Sequence, residues 1–189
     1  MPWKTRENRR RAAGSKGLRR VIVTQSVTGP AHHGLLLAGG ATFRCVLGRA
    51  GLTRAKREGD GATPAGAWAL VEFRRRPARF SRAGLRPPTK DIRSPERWCD
   101  DPGSFLYNRP LRSPSRFRCE TLWRGDGCYD LVGVLDYNLK PAQRGRGSAI
   151  FLHIATEDFE PTAGCVALSA RDMARVAPRL ARCAVLVIG

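Results

Sequence analysis

Apolar residues along this chain come in short runs, and few of the runs carry a helical period. Val21-Ile22-Val23-Thr24 predicts a first strand, and Trp68 to Phe73 another. Gly34 to Leu37 and Ala41 to Leu47 predict a hairpin turning at Gly39-Gly40. Tyr129 to Tyr137 alternates loosely and reads as a strand, and Ala149 to Ile154 is a short apolar run of the kind that forms a buried one. A single helix is predicted after Ser169, where Ser169 and Asp172 make an S-x-x-D cap and Met173, Val176 and Leu180 share a face. Pro178 should break it near its end, and Cys183 to Ile188 closes the chain as a last strand. Residues 51–66 read as a polar, Gly-rich loop. Residues 74–118 read as a long irregular stretch rich in Arg and Pro, and such stretches are usually functional or mobile. There is no internal repeat. The expected organisation is a flexible basic arm over residues 1–18 and one domain over 19–189.

Composition supports a folded domain and adds a strong charge. Hydrophobic residues are 42% of the 189, enough for a core, while 34 Lys+Arg stand against 16 Asp+Glu for a net charge of +18. Such a surface attracts polyanions and anionic ligands. The excess is mostly Arg scattered along the chain, and no helix-turn-helix, zinc finger or aromatic RNA-binding signature accompanies it. Nucleic acid is therefore not the expected partner. Two readings remain: a solvated Arg-rich surface, or a groove for a carboxylate-rich ligand. Residues 1–20 contain no apolar h-region and no run is long enough to span a membrane, so at face value the chain is a soluble cytoplasmic monomer.

The six cysteines are Cys45, Cys99, Cys119, Cys128, Cys165 and Cys183. They form no CxxC pair and are not spaced with His32, His33 or His153 as zinc ligands would be. No metal site and no cofactor is expected. Cys119 and Cys128 could close a small loop as a disulfide; otherwise most of these thiols are expected to be reduced and buried. Trp98 and Trp123 read as core anchors, His32 and His33 as exposed turn residues, and Asp136 and Asn138 as residues that stabilise a strand end.

The segment Ser148 to Leu168, SAIFLHIATEDFEPTAGCVAL, carries the chemistry. His153 ends an apolar strand, and Gly164-Cys165 follows in a Pro-Thr-Ala-Gly-Cys turn ahead of the capped helix. A thiol attacks carbonyls as its thiolate, and an imidazole within reach removes the proton. Gly164 lets backbone approach a ligand closely, and the amides of Gly164 and Cys165 are candidates for an oxyanion hole. By residue type and spacing alone, two core residues are the commoner reading of such a Cys and His.

This segment resembles the active-site signature of the YkuD-like L,D-transpeptidases, with His153 in the place of the base, Thr162 of the Ser/Thr, Gly164 of the glycine and Cys165 of the nucleophile. Thr63-Pro64-Ala65-Gly66 followed by Trp68 resembles the family's T-P-x-G-x-aromatic segment. The stretches CVLGRAGLTRAKREGDGATPAG, WCDDP, YNRPL and LDYN resemble a compact stand-alone proteobacterial branch. The resemblance spans about residues 20 to 189. It implies a mainly β fold, a sandwich or open barrel of mixed sheets with a short helix after the cysteine. It implies acyl transfer on peptidoglycan stem peptides without a cofactor, and action in the cell envelope or periplasm. It departs from common members at Ala163 and Ala167, where they carry His and Arg, and at Ile154, where they carry Gly. The expected substrate grips are Arg49, Lys56 and Arg57 for a stem carboxylate, Glu58 or Asp60 for an ammonium, and Tyr107 and Asn108 along the pocket. The alternatives are an L,D-carboxypeptidase on the same substrate and a basic non-enzymatic binding module.

Overall fold

In the computed structural model, which describes residues 17–112 and 114–189, fourteen short strands and one α-helix follow in chain order. The strands are β1 (Leu18–Gln25), β2 (His33–Ala38), β3 (Ala41–Val46), β4 (Leu52–Thr53), β5 (Thr63–Pro64), β6 (Gly66–Arg75) and β7 (Thr89–Asp91). Then come β8 (Arg97–Cys99), β9 (Arg109–Leu111), β10 (Cys119–Thr121), β11 (Leu131–Leu135), β12 (Phe151–Ile154), β13 (Val166–Leu168), the helix α1 (Ala170–Val176) and β14 (Leu180–Ile188). Most of the basic arm expected over residues 1–18 lies outside the described residues.

The main sheet runs β11-β12-β13-β3-β2-β1-β14-β6-β7, and β6 pairs β11 as well. That extra pairing brings the sheet round on itself, so the architecture is a barrel-like mixed sheet. The β2–β3 hairpin turns at Gly39 and Gly40, both at positive φ (57° and 82°), as a two-residue hairpin loop of this hand requires. The first strand expected at Val21 to Thr24 is present as part of β1, with Val21 and Val23 buried and Ile22 facing out.

The loosely alternating β11 has a different explanation: all five residues are buried. Leu131 and Leu135 pack in the barrel core with Leu36, Phe73 and Leu152, while Val132 and Val134 pack on the other face with Trp98, Tyr129 and Phe151. A strand covered on both faces has no polar side to alternate with. The second face is covered by a small sheet, β10-β8-β9, drawn from and just beyond the stretch expected to be irregular. Its three-residue strands, like the two-residue β4 and β5 within the expected polar loop, are too short to leave a periodic signal.

Three expectations are corrected. Leu180 does not belong to the helix: Pro178 lies in a 3₁₀ turn (Ala177–Arg179), after which the backbone becomes extended, so β14 begins at Leu180 and not Cys183. Trp123 is 40% exposed with the Arg76 guanidinium 4.5 Å over its ring, whereas Trp98 is buried as expected. His32 and His33 are half-buried, and His33 opens β2. The Ser169 cap is present: its hydroxyl accepts from the Asp172 amide at 3.1 Å.

Candidate active site

The turn that presents Cys165 is wedged between two backbone segments. Thr162 bridges Gly48, its amide donating to the Leu47 carbonyl (3.0 Å) and its carbonyl accepting from the Arg49 amide (3.0 Å). The Thr162 hydroxyl accepts from the Gly164 amide (3.1 Å) and donates to the Cys165 carbonyl (2.7 Å). Thr63, fully buried at the start of β5, accepts from the Gly48 amide (2.7 Å) and donates to the same Cys165 carbonyl (3.4 Å). Gly164 sits at φ 148°, and a Cβ there would stand 2.8 Å from the Ala62 carbonyl oxygen, so only glycine passes. The expected use of the Gly164 amide is revised, because the Thr162 hydroxyl already takes its hydrogen.

Strands β12 and β13 are parallel, with Leu152 opposite Val166 and His153 opposite Ala167. Alternation along β13 places Cys165 on the same side as Ala167, hence on the side of His153. All three line one cleft of about 470 Å³. The Cys165 thiol donates to the Ala149 carbonyl (3.1 Å) and its sulfur accepts from the Phe151 amide (3.3 Å). Burial pushes the thiol up to about 12, with the Glu120 carboxylate adding to the rise and the Phe151 amide and Lys56 opposing it. His153 Nδ1 lies 2.8 Å from the Ile154 carbonyl. A carbonyl only accepts, so Nδ1 carries the hydrogen and Nε2 keeps its lone pair. Burial lowers His153 to about 4 against the Ile154 and Cys128 carbonyls, which favour its cation, and Arg124 lowers it further. At neutral pH the pair therefore rests as thiol and neutral imidazole. The Tyr129 ring stands edge-on to the imidazole at 5.2 Å.

Of the other residues expected at the site, Arg49, Lys56 and Glu58 line this cleft. Lys56 is buried and its ammonium is matched by Asp60 (2.5 Å) and the Arg57 carbonyl (3.0 Å). Burial raises the Asp60 carboxyl, but hydrogen bonds from Lys56, Arg57 and Ala62 outweigh it and hold the group below the usual range. Asp60 and Arg57 thus shape their own loop, and neither is on the cleft wall. Tyr107 and Asn108 are buried behind the wall. The Tyr107 hydroxyl donates to Glu58 Oε2 (2.5 Å), which also accepts from Ser148 Oγ (2.7 Å), so Glu58 is held from two sides.

The Asn108 amide is fully used. Its oxygen accepts from Trp98 Nε1 (2.9 Å) and the Ala149 amide (3.0 Å), and its nitrogen donates to the Tyr137 and Asn138 carbonyls (3.2 and 2.7 Å). It thereby fixes Ala149, a non-glycine residue at φ 52° whose carbonyl holds the Cys165 thiol. Asn108→Ala should cost on the order of 3 kcal/mol, because it leaves several buried polar groups unpaired at once. Urea denaturation measures this; a loss below about 1 kcal/mol would contradict it.

The structure also brings in residues not singled out from the sequence. Glu120 and Arg124 line the cleft beside Tyr129. The Tyr129 hydroxyl donates to Glu120, and burial raises the Glu120 carboxyl. The Arg124 guanidinium lies 4.9 Å over the Tyr129 ring, holds Asp126 through Nε and Nη2, and has Nη1 4.0 Å from Glu120. These contacts all fall within residues 120–129, and only the fold brings that segment to the cleft that holds His153 and Cys165. Thr63 alone left a trace, in the Thr-Pro segment. Among the described residues no group of three or more His, Cys, Asp or Glu is placed to hold a metal ion, and no helix is long and apolar enough to cross a membrane.

No curated protein matches the chain. A family model described as the L,D-transpeptidase catalytic domain, YkuD, matches residues 30–188, which includes the Thr63 segment, His153 and the whole Cys165 turn. With the match covering most of the chain and the barrel-like fold consistent with it, this chain belongs to the L,D-transpeptidase (YkuD) family.

Proposed function

We propose that the protein crosslinks peptidoglycan stem peptides by acyl transfer through Cys165, with His153 as the base. The observation that carries this reading is the pair itself: a thiol and a neutral imidazole on one face of adjacent parallel strands, opening into one cleft. His153 Nε2 takes the thiol proton as Cys165 Sγ attacks an amide carbonyl on the L-centre of the donor stem. The tetrahedral oxyanion is met by backbone amides, of which Cys165's remains after Gly164's is used in the turn. His153 returns the proton to the departing amine and a thioester remains. An amine of a second stem attacks the thioester, giving up its proton to His153, and frees the thiol.

The cleft walls suit a zwitterionic peptide. Glu58, held by Tyr107 and Ser148, is the candidate for the acceptor ammonium, and Arg49 and Arg124 are the candidates for a donor carboxylate. Beside His153 stands Ala167, fully buried and without charge, so carboxylate recognition shifts to those side walls. We read this as a donor bond that differs from that of common members, in a stem residue nearer the sugar, and we place the action in the cell envelope, where the substrate is. Incubation with purified sacculi and mass spectrometry of the released muropeptides tests the reading. New crosslinked dimers are expected. Shortened stems without dimers would instead indicate hydrolysis, and an unchanged profile with salt-sensitive binding would indicate a basic binding module.

A further inference from the structure

Two cysteines outside the cleft face each other across the small sheet. β8 and β10 are antiparallel, with Cys99 opposite Cys119 and Trp98 opposite Glu120. The next pair, Asp100 and Arg118, carries a ladder bond from the Asp100 amide (3.3 Å), and beyond the other end the Leu122 amide donates to Glu96 (3.0 Å). Hydrogen-bonded and non-hydrogen-bonded pairs alternate in such a ladder, so Cys99 and Cys119 form a non-hydrogen-bonded pair. There the Cα atoms approach to about 4.5 Å and side chains stand closest. A disulfide accepts Cα separations of about 4.4–6.8 Å, so the bridge needs no movement of the strands.

We infer that Cys99 and Cys119 form a modification site, closed to a cross-strand disulfide by a small disulfide-bearing oxidant. The two thiols differ in access. Cys119 is half-buried, its thiol donating to the Phe117 carbonyl (3.3 Å), and Cys99 is fully buried behind it. Cys119 thiolate attacks the oxidant and expels one thiolate, giving a mixed disulfide. Cys99 thiolate then attacks the Cys119 sulfur and expels the second. One disulfide is reduced to two thiols, two protein thiols are oxidised, and their protons pass to solvent or to the leaving thiolates. Burial raises the Cys119 thiol, and the facing Cys99 adds to the rise, so closure accelerates with pH.

The bridge encloses the segment that carries Asp100 on the cleft and Tyr107 and Asn108 behind it, with Glu120 next to one anchor. Oxidation therefore braces one wall of the cleft. Cys128, the partner considered from sequence, lines the cleft itself and has no place in this pair.

The test treats the full chain, in a Cys183→Ser background that removes an exposed thiol, with excess oxidised glutathione at mildly alkaline pH. Peptide mapping by mass spectrometry should find Cys99 linked to Cys119. Tm should rise on the order of 5–10 °C and fall back on reduction with dithiothreitol. Cys119→Ser in the same background should show neither the linked peptide nor the rise. A Cys119–Cys128 link, glutathione retained on Cys119 with Cys99 still alkylated after denaturation, or an unchanged thiol count would each overturn the assignment. The readout is independent of activity on sacculi, so it stands or falls separately from the proposed function.

Discussion

Cys165→Ala protein should form no crosslinks on sacculi and should still bind them. Without the sulfur the turn cannot form a thioester, and Cys128, the other thiol on the cleft wall, lies outside that turn. The fold should persist. Cys165 is buried, but alanine removes one atom, and the groups left behind are the Ala149 carbonyl and the Phe151 amide at the end of a strand. That loss is worth about 1–2 kcal/mol, a Tm decrease of roughly 2–8 °C for a chain of this size. Intact-mass analysis after incubation with a carbapenem offers a second readout: wild type should gain one acyl adduct, and Cys165→Ala none. Wild-type turnover by the alanine variant would remove Cys165 from the mechanism.

The cleft sets the charge state of the Cys165–His153 pair. A thiol pushed up to about 12 and an imidazole lowered to about 4 make a neutral pair at neutral pH. Burial causes both shifts, because it penalises the thiolate and the imidazolium alike. Reaction needs a substrate whose developing oxyanion and carboxylate restore favourable charge around the pair. Arg124 and Lys56 stand close enough to act on His153 and Cys165 respectively. This gives substrate binding a role in activation as well as in positioning.

What the sequence revealed follows how local each feature is. The Gly39-Gly40 hairpin, the Ser169 cap and the first strand at Val21 to Thr24 depend on neighbours within a few residues, and all three are present. The strands of the small sheet exist because Trp98 packs on Phe151 and bonds Asn108, contacts that no spacing within residues 74–118 announces. The same holds at the site. Thr162, Gly164 and Cys165 are neighbours in one turn, so their joint geometry was readable. Asp60 and Lys56 pair four residues apart, but composition does not separate that pair from a substrate-gripping loop, because an exposed loop and a self-bonded loop have the same composition. Glu120 and Arg124 reach the cleft only through the fold of β10 and the loop that follows it. Cys119 could have been matched with any of several thiols, and only the register of β8 and β10 brings Cys99 opposite it.

His153→Gln should lower kcat/KM by about 10²–10⁴-fold while leaving the affinity for sacculi near that of wild type, as expected for loss of a general base. Two pH effects separate this role from a structural one. First, the base must be unprotonated to act. With its ordinary value of 6.5 lowered to about 4, wild-type activity should hold its acid limb near pH 4, and stay flat from pH 7 to 5 where an unperturbed imidazole would already be lost. Second, the shift is a stability statement. As pH falls through 6.5 the unfolded chain takes up a proton at His153, while the folded chain resists until about 4. Stability is therefore fully present above 6.5 and declines between 6.5 and 4, by about 3 kcal/mol in all. Glutamine cannot take that proton, so the Tm of His153→Gln should fall less than that of wild type between pH 7 and pH 4, by roughly 6–12 °C less. Thermal melts of both proteins at the two pH values decide the stability half: parallel decreases would show that His153 is not held neutral by burial. An acid limb near pH 6.5 in the rate profile would place the catalytic proton on a group other than the buried imidazole described here.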